Sequence, residues 1–294
     1  MINAIQEYVT YLREIKGTSK NTEAAYTRDL KKAAAYLETQ NITVPDAVTE
    51  ESLLSYVRYL EEEQLSPATV SRNVAALHSY FQYLLEQKRI QQDPSENLKP
   101  PKVDKKVPAV LTVAEVDRLL EQPSRNTAKG MRDRAMLELL YATGIRVSEL
   151  IHLKEKDVSL SMSYISCTEA GKERMIPFGE TAKKALKIYV RDSRKELLKG
   201  KESDYLFCNC SGGSMSRQGF WKVLKSYALQ AGITEDITPH TLRHSFALHM
   251  IQNGADLKVV QEMLGHSTIS TTQIYLNMEL NKLRDVYVQS HPRK

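Results

Sequence analysis

Apolar residues recur at three- and four-residue steps along nearly the whole chain, and that spacing favours packed helices over any other architecture. Ile2, Ile5, Val9, Leu12 and Ile15 mark one amphipathic face over residues 2–16, which Gly17 ends. Ser19 can cap a second helix through Ala24, Tyr26, Leu30, Ala34 and Leu37. Thr49 opens a third through Leu53, Leu54, Val57 and Leu60, with Glu50 and Glu51 where the helix dipole favours acids. Ser66-Pro67, a cap followed by a proline at the first helical position, starts a fourth through Val70, Val74, Leu77, Tyr80, Phe81 and Leu84. These four predict one small helical bundle over residues 1–93.

The texture then changes. Pro94, Pro100, Pro101 and Pro108 are interleaved with Lys99, Lys102, Lys105 and Lys106, so residues 94–110 read as an extended basic linker. It is either a plain domain boundary or a strand of chain that lies along a phosphate backbone. Residues 111–294 form a second domain, again mostly helical: 112–121, 131–142, 146–153, 180–198, 216–231, 239–253, 256–264 and 268 onwards. Residues 164–167 and 174–177 are the exception, two short strands of a hairpin. The fold class is therefore mainly α, with a small antiparallel β-hairpin or sheet in the second half. A length of 294 residues agrees with two domains at about 100–200 residues each.

Charge separates the halves. Residues 1–99 hold 11 basic and 14 acidic residues, and residues 100–294 hold 30 and 22, so the net charges are −3 and +8. Excess positive charge suits a polyanion such as nucleic acid, though ordinary solubility charge looks the same. No stretch approaches the ~18 apolar residues of a membrane span. Glu7, Arg13 and Glu14 interrupt what a signal peptide would need as an apolar core. Three cysteines, Cys167, Cys208 and Cys210, make no disulfide framework, which fits a reducing cytoplasm.

Neither a phosphate-binding Gly-rich loop nor a dinucleotide fingerprint is present. Cys208-x-Cys210 with His240-x-x-x-His244 is too tightly spaced for a convincing zinc site, so no metal and no cofactor are predicted. The chemistry rests on basic and hydroxyl side chains. In Thr143-Gly144-Ile145-Arg146-Val147-Ser148-Glu149-Leu150 a glycine ends one helix, Arg146 begins the next, and Glu149 can hold its guanidinium in a bidentate pair. In Thr238-Pro239-His240-Thr241-Leu242-Arg243-His244 an imidazole and a guanidinium share one face at a helix N-terminus, a phosphate site by charge and by free backbone donors. Leu264-Gly265-His266 ends another helix, and Tyr275 follows in Ser270-Thr271-Thr272-Gln273-Ile274-Tyr275.

Arg146 in T-G-x-R-x-S-E-L, His240-x-x-Arg243-His244, Leu264-Gly265-His266 and Tyr275, in that order, resemble the tyrosine recombinase (phage-integrase) family, and within it the Xer-type enzymes. The resemblance implies a SAM-like core-binding bundle followed by a catalytic domain that cuts and rejoins duplex DNA without metal or ATP. It implies Tyr275 as the nucleophile that forms a 3′-phosphotyrosyl bond and His240 as its base. Arg146 and Arg243 would clamp the non-bridging oxygens, His266 would donate to the same phosphate, and Glu149 would orient Arg146. The family's hairpin lysine protonates the leaving 5′-oxygen. Its usual slot is occupied by Glu169, and Lys172 is the lysine this hairpin offers, either as that acid or as a phosphate contact.

Partners implied are duplex DNA with paired inverted half-sites and a homotetramer, or a heterotetramer with a paralogous recombinase, passing through a Holliday junction. The role implied is chromosome-dimer resolution or mobile-element integration and excision, in the cytoplasm at the nucleoid. Candidate DNA-backbone contacts are Arg28, Lys31, Lys32 and Arg72 in the bundle and Lys102, Lys105 and Lys106 in the linker. The apolar stripe Leu276, Leu280, Leu283 and Tyr287 would pass to a neighbouring subunit. Competing readings are a type IB topoisomerase, a silent DNA-binding accessory protein and, more remotely, a metal-dependent nuclease.

Overall fold

The computed structural model describes residues 1–102, 108–169, 172–209, 211–265 and 272. The chain divides into two compact units, Met1–Lys106 and Val107–Lys294. His266, Tyr275, Lys105, Lys106, Cys210 and the stripe after Tyr275 lie outside the described residues.

In the first unit, α1 (Ile2–Glu14), α2 (Lys20–Thr39), α3 (Glu50–Glu62) and α4 (Pro67–Glu86) form the expected bundle. Each start signal works as a cap: Ser19, Thr49 and Ser66 side chains accept from the amides of Thr22, Ser52 and Thr69. The core is rich in phenols. Tyr8, Tyr56 and Tyr80 are fully buried, with the Tyr8 hydroxyl donating to Ser79 Oγ (2.6 Å) and the Tyr56 hydroxyl to Asn73 Oδ1 (2.9 Å). The boundary expected at residue 93 lies further on. Leu98 is buried in this core and its carbonyl meets His78 Nε2 at 3.1 Å, so the first prolines of the supposed linker belong to the bundle's flank. Proline stiffens a chain but does not stop the apolar residues beside it from packing.

The second unit wraps one large core with α5 (Val113–Glu121) and α6 (Ala128–Thr143), α6 being buried on nearly every side. Then come α7 (Val147–His152), the strands β1 (Val158–Ser159), β2 (Tyr164–Glu169) and β3 (Lys172–Pro177), and α8 (Glu180–Ile188). The hairpin is thus part of a three-stranded antiparallel sheet ordered β1-β2-β3. Ile165 pairs with Ile176 and both are fully buried, which fixes the register.

The helix expected over 180–198 is interrupted. A π-turn at Tyr189–Ser193 separates α8 from α9 (Arg194–Leu198). The wider turn leaves Tyr189 and Arg194 aimed at one segment: the Tyr189 hydroxyl donates to the Leu206 carbonyl, and Arg194 donates to the carbonyls of Ser203, Tyr205 and Leu206. The remaining helices among the described residues are α10 (Arg217–Gln230), α11 (Pro239–Gln252) and α12 (Leu257–Leu264). Among the described residues, no helix is long and apolar enough to cross a membrane.

Gly144 closes α6 at φ 61°, and a Cβ there would lie 2.3 Å from Phe246 Cδ1 and 2.9 Å from Leu264 Cδ2. Gly144→Ala therefore combines left-handed backbone strain with overpacking, a loss of about 2–4 kcal/mol. Thermal denaturation should show the second unit's transition lowered by about 5–12 °C. A change under about 2 °C would mean that Phe246 and Leu264 yield at no cost.

Candidate active site

Gly144 places Arg146 at the N-cap of α7, one residue before the helix proper, where φ −71° and ψ 148° swing its side chain clear of the helical turn. On α11, Thr238 caps the start and forms a reciprocal box with Thr241, and Pro239 occupies the first turn. This leaves His240 exposed, while Arg243, one turn on, is only 4% exposed.

Both arginines point at the C-terminal end of α12. Helix ends leave carbonyls without intrahelical partners, and those carbonyls carry the negative end of the helix dipole. Arg243 donates through Nη2 to the Leu264 carbonyl (2.7 Å) and through Nη1 to the Gly144 carbonyl (2.6 Å). Arg146 Nη2 donates to the Gly265 carbonyl (3.0 Å). The third carbonyl, that of Met263, is taken by Arg174 Nε from β3 (3.2 Å). Three successive carbonyls thus meet three guanidinium groups from three elements. Gly265, at φ 65°, ends α12 immediately before His266.

Glu149 does not form the expected bidentate pair with Arg146. One carboxylate oxygen accepts from the Arg146 backbone amide (2.7 Å); the other lies 2.6 Å from Arg174 Nη2 and 3.6 Å from Arg146 Nη1. Position three of a short helix suits a carboxylate to the helix's own free amides, so the backbone wins one oxygen and Arg174 the other. Arg174 is the residue that motif reading passed over. Strand alternation put it on the face of Ile176, and an arginine on the buried face of a strand requires a partner.

Beside Arg146 lies an open cleft of about 370 Å³, lined by Ser148, Glu149, His152, Ser166 and Thr168 among others. Cys167 also borders it, and burial pushes its thiol up to about 12, well away from a nucleophile's range. Lys172 opens β3 opposite Glu169 at the turn end of the hairpin. Cys208 is buried and its thiol donates to the Tyr205 carbonyl (3.1 Å).

The basic residues of the bundle divide. Arg28 and Lys31 are exposed on one face of α2, and Lys32 lies on the same face with its ammonium 5.5 Å from the Tyr59 ring. Arg72, expected beside them, donates through Nε (2.7 Å) and Nη2 (3.0 Å) to Asp29, a nearly buried carboxylate that would otherwise stand uncompensated. Lys102 is exposed.

Desolvation by the protein packed on one side of the exposed ring, then the positive charges of Arg243, Arg217 and Arg146, lowers the His240 pKa below the ordinary 6.5. Its neighbour His244 is lowered to about 4 by burial, His240 and Arg243. Positive surroundings disfavour a second proton, so both imidazoles are neutral at pH 7.

Residues 109–282 match the Phage integrase family, and residues 5–88 match the Phage integrase N-terminal SAM-like domain. The chain belongs to the phage integrase family. Along its whole length it is 45% identical to the tyrosine recombinase XerD of Oceanobacillus iheyensis, covering 99% of this chain and 98% of that one. Identity is also 45% to the tyrosine recombinase XerD of Staphylococcus saprophyticus, with both chains covered completely. The fold matches that of the XerH site-specific recombinase bound to palindromic difH substrate in a post-cleavage complex, with a TM-score of 0.77 at 23% identity, covering 99% of this chain and 85% of that one. The mainly α fold with a small antiparallel sheet is what the periodicity predicted, and the family is the one the motifs resemble.

Proposed function

We propose that this chain is a Xer-type site-specific recombinase that cuts and rejoins duplex DNA through a 3′-phosphotyrosyl intermediate. The observation that carries the reading is the convergence of Arg146 and Arg243 on the end of α12, one residue before His266. Two forked cations held on fixed carbonyls match the charge that builds on the non-bridging oxygens of a phosphodiester under attack.

In this reading the Tyr275 oxygen bonds to phosphorus as its proton passes to His240, and the bond from phosphorus to the 5′-oxygen breaks. Lys172 gives the leaving oxygen its proton, and His266 donates to the same phosphate. A phenol of pKa about 10 needs such a base at neutral pH. The phosphodiester energy is kept in the tyrosyl ester, so rejoining needs no ATP.

The basic face of α2, with Arg28, Lys31 and Lys32, and the linker lysines Lys102, Lys105 and Lys106 would follow the DNA backbone. That grip should weaken steeply as salt rises. Four protomers, of one kind or with a paralogue, would exchange strands on paired inverted half-sites through a Holliday junction. The role this reading implies is resolution of chromosome dimers or integration and excision of a mobile element, in the cytoplasm.

A nicked suicide duplex carrying a Xer-like site, mixed with the protein in EDTA without ATP, tests the reading. A covalent protein–DNA band whose adduct maps to the peptide holding Tyr275 is expected. Exchange between two sites on one plasmid, rather than relaxation alone, is the accompanying result. No band across a library of sites, despite tight DNA binding, would replace the reading with that of an accessory protein.

The lowered His240 pKa sets the pH dependence. A depressed histidine pKa means the active neutral form persists further to the acid side than for a free imidazole, so the second-order rate of adduct formation, which reports the free enzyme, should hold its plateau from pH 8 toward neutrality, with the midpoint of any fall below 6.5. Its acid limb should fall below that value. A limb centred above 6.5 would remove His240 from the role of base.

A further inference from the structure

We infer that Arg174 is a positioning residue that holds Glu149 away from Arg146, and so keeps the Arg146 guanidinium available to phosphate. The inference rests on the recombinase reading and extends it to a side chain outside the phosphate clamp itself.

Among the described residues, Glu149 Oε1 has two cationic neighbours, Arg174 Nη2 at 2.6 Å and Arg146 Nη1 at 3.6 Å. Only the shorter is a hydrogen bond in length. Glu149 and Arg174 have side chains only 13% and 15% exposed, so water screens their pairing little, whereas the Arg146 side chain is 30% exposed. Arg174 is itself fixed at two further points. Its Nε donates to the Met263 carbonyl, and its guanidinium lies flat against Gly265, where a Cβ would come within 2.8 Å of Cζ. One planar group therefore ties β3, α7 and the last turn of α12 together.

Without Arg174, the half-buried carboxylate keeps its backbone bond to the Arg146 amide but loses its nearer cation. The nearest remaining guanidinium among the described residues is that of Arg146. An arginine–carboxylate pair prefers the two-point fork, so Arg146 would turn about 1 Å toward Glu149 and leave the Gly265 carbonyl. A clamp drawn into an internal ion pair offers less charge and the wrong geometry to a phosphate.

The test compares single-turnover adduct formation at saturating DNA for wild type, Arg174→Ala and the double variant Arg174→Ala/Glu149→Gln, alongside half-saturating DNA concentration and thermal midpoint. A misplacement of this size predicts an about 100-fold lower rate for Arg174→Ala, with half-saturation changed less than about threefold. Glutamine leaves an acceptor for the Arg146 amide but no charge to capture its guanidinium, so the double variant should regain at least about tenfold of the lost rate.

A purely structural role would not produce that recovery. A single variant within about twofold of wild type, or a double variant no faster than the single, would overturn the inference. The wild-type rate measured alongside tests the recombinase reading separately, since the role of Arg174 is read from the ratios. Should alanine unfold the domain, Arg174→Gln carries the same comparison, because it can still reach the Met263 carbonyl but brings no charge to Glu149.

Discussion

Replacing Tyr275 by phenylalanine is expected to abolish covalent attachment to DNA while leaving DNA affinity intact. The change removes one oxygen and no charge, so phosphate contacts made by arginine and lysine persist and so does the salt-dependent part of binding. What disappears is the only atom assigned to bond with phosphorus. Enzymes that lose a covalent nucleophile lose about 10⁶-fold in rate, which puts the adduct below detection on a denaturing gel. Retention of an adduct in Tyr275→Phe would reassign the nucleophile. Loss of DNA binding as well would mean that the phenol serves the fold and not the reaction.

Arg243→Ala should combine a catalytic loss with a structural one. The guanidinium is nearly buried and supplies the hydrogen bonds at 2.6 Å and 2.7 Å to the carbonyls of Gly144 and Leu264. Removing it strips two buried acceptors of a charged donor, at about 1.5–3 kcal/mol each, so a total near 3–6 kcal/mol of stability is expected to go. It also removes one arm of the proposed phosphate clamp, worth at least about 10²–10³-fold in adduct formation.

Arg243→Lys separates the two losses. One ammonium can satisfy a carbonyl and so recover part of the stability, but it has no planar fork to span two carbonyls and a phosphate oxygen together. Its thermal midpoint should lie between those of wild type and alanine, with the rate still down by about 10²-fold or more. An alanine variant within about tenfold of the wild-type rate would show that Arg146 alone carries the charge. A lysine variant as active as wild type would reduce the role of Arg243 to that of a point charge.

Much of the fold was legible because helices announce themselves locally. Ser19, Thr49 and Ser66 cap where they were expected to, Gly144 ends α6, and Thr238-Pro239 begins α11. Caps and apolar steps are set by residues three or four apart, so a linear string contains them. The hairpin was equally local, though β1 was missed: a two-residue strand has no periodicity of its own and exists because β2 offers it an edge. The π-turn at Tyr189–Ser193 was also invisible, since what favours it is the carbonyl group of residues 203–206, which Tyr189 and Arg194 reach only after folding.

The same division runs through the candidate site. Arg146, Glu149, His240 and Arg243 could be named from short motifs, because each motif is one helix start and its chemistry lies on adjacent turns. Which cation Glu149 holds could not. That is decided by β3 bringing Arg174 within 2.6 Å while Arg146 stays at 3.6 Å, a contest between residues 25 and 3 positions away along the chain. Nor could the sequence alone show Arg72 turned toward the buried Asp29, 43 positions distant. By itself the sequence determined which elements form and which side chains could do the chemistry, because those depend on near neighbours. Only the tertiary structure decided the partners, because a carboxylate or a carbonyl at a helix end pairs with whichever cation the packed core brings nearest.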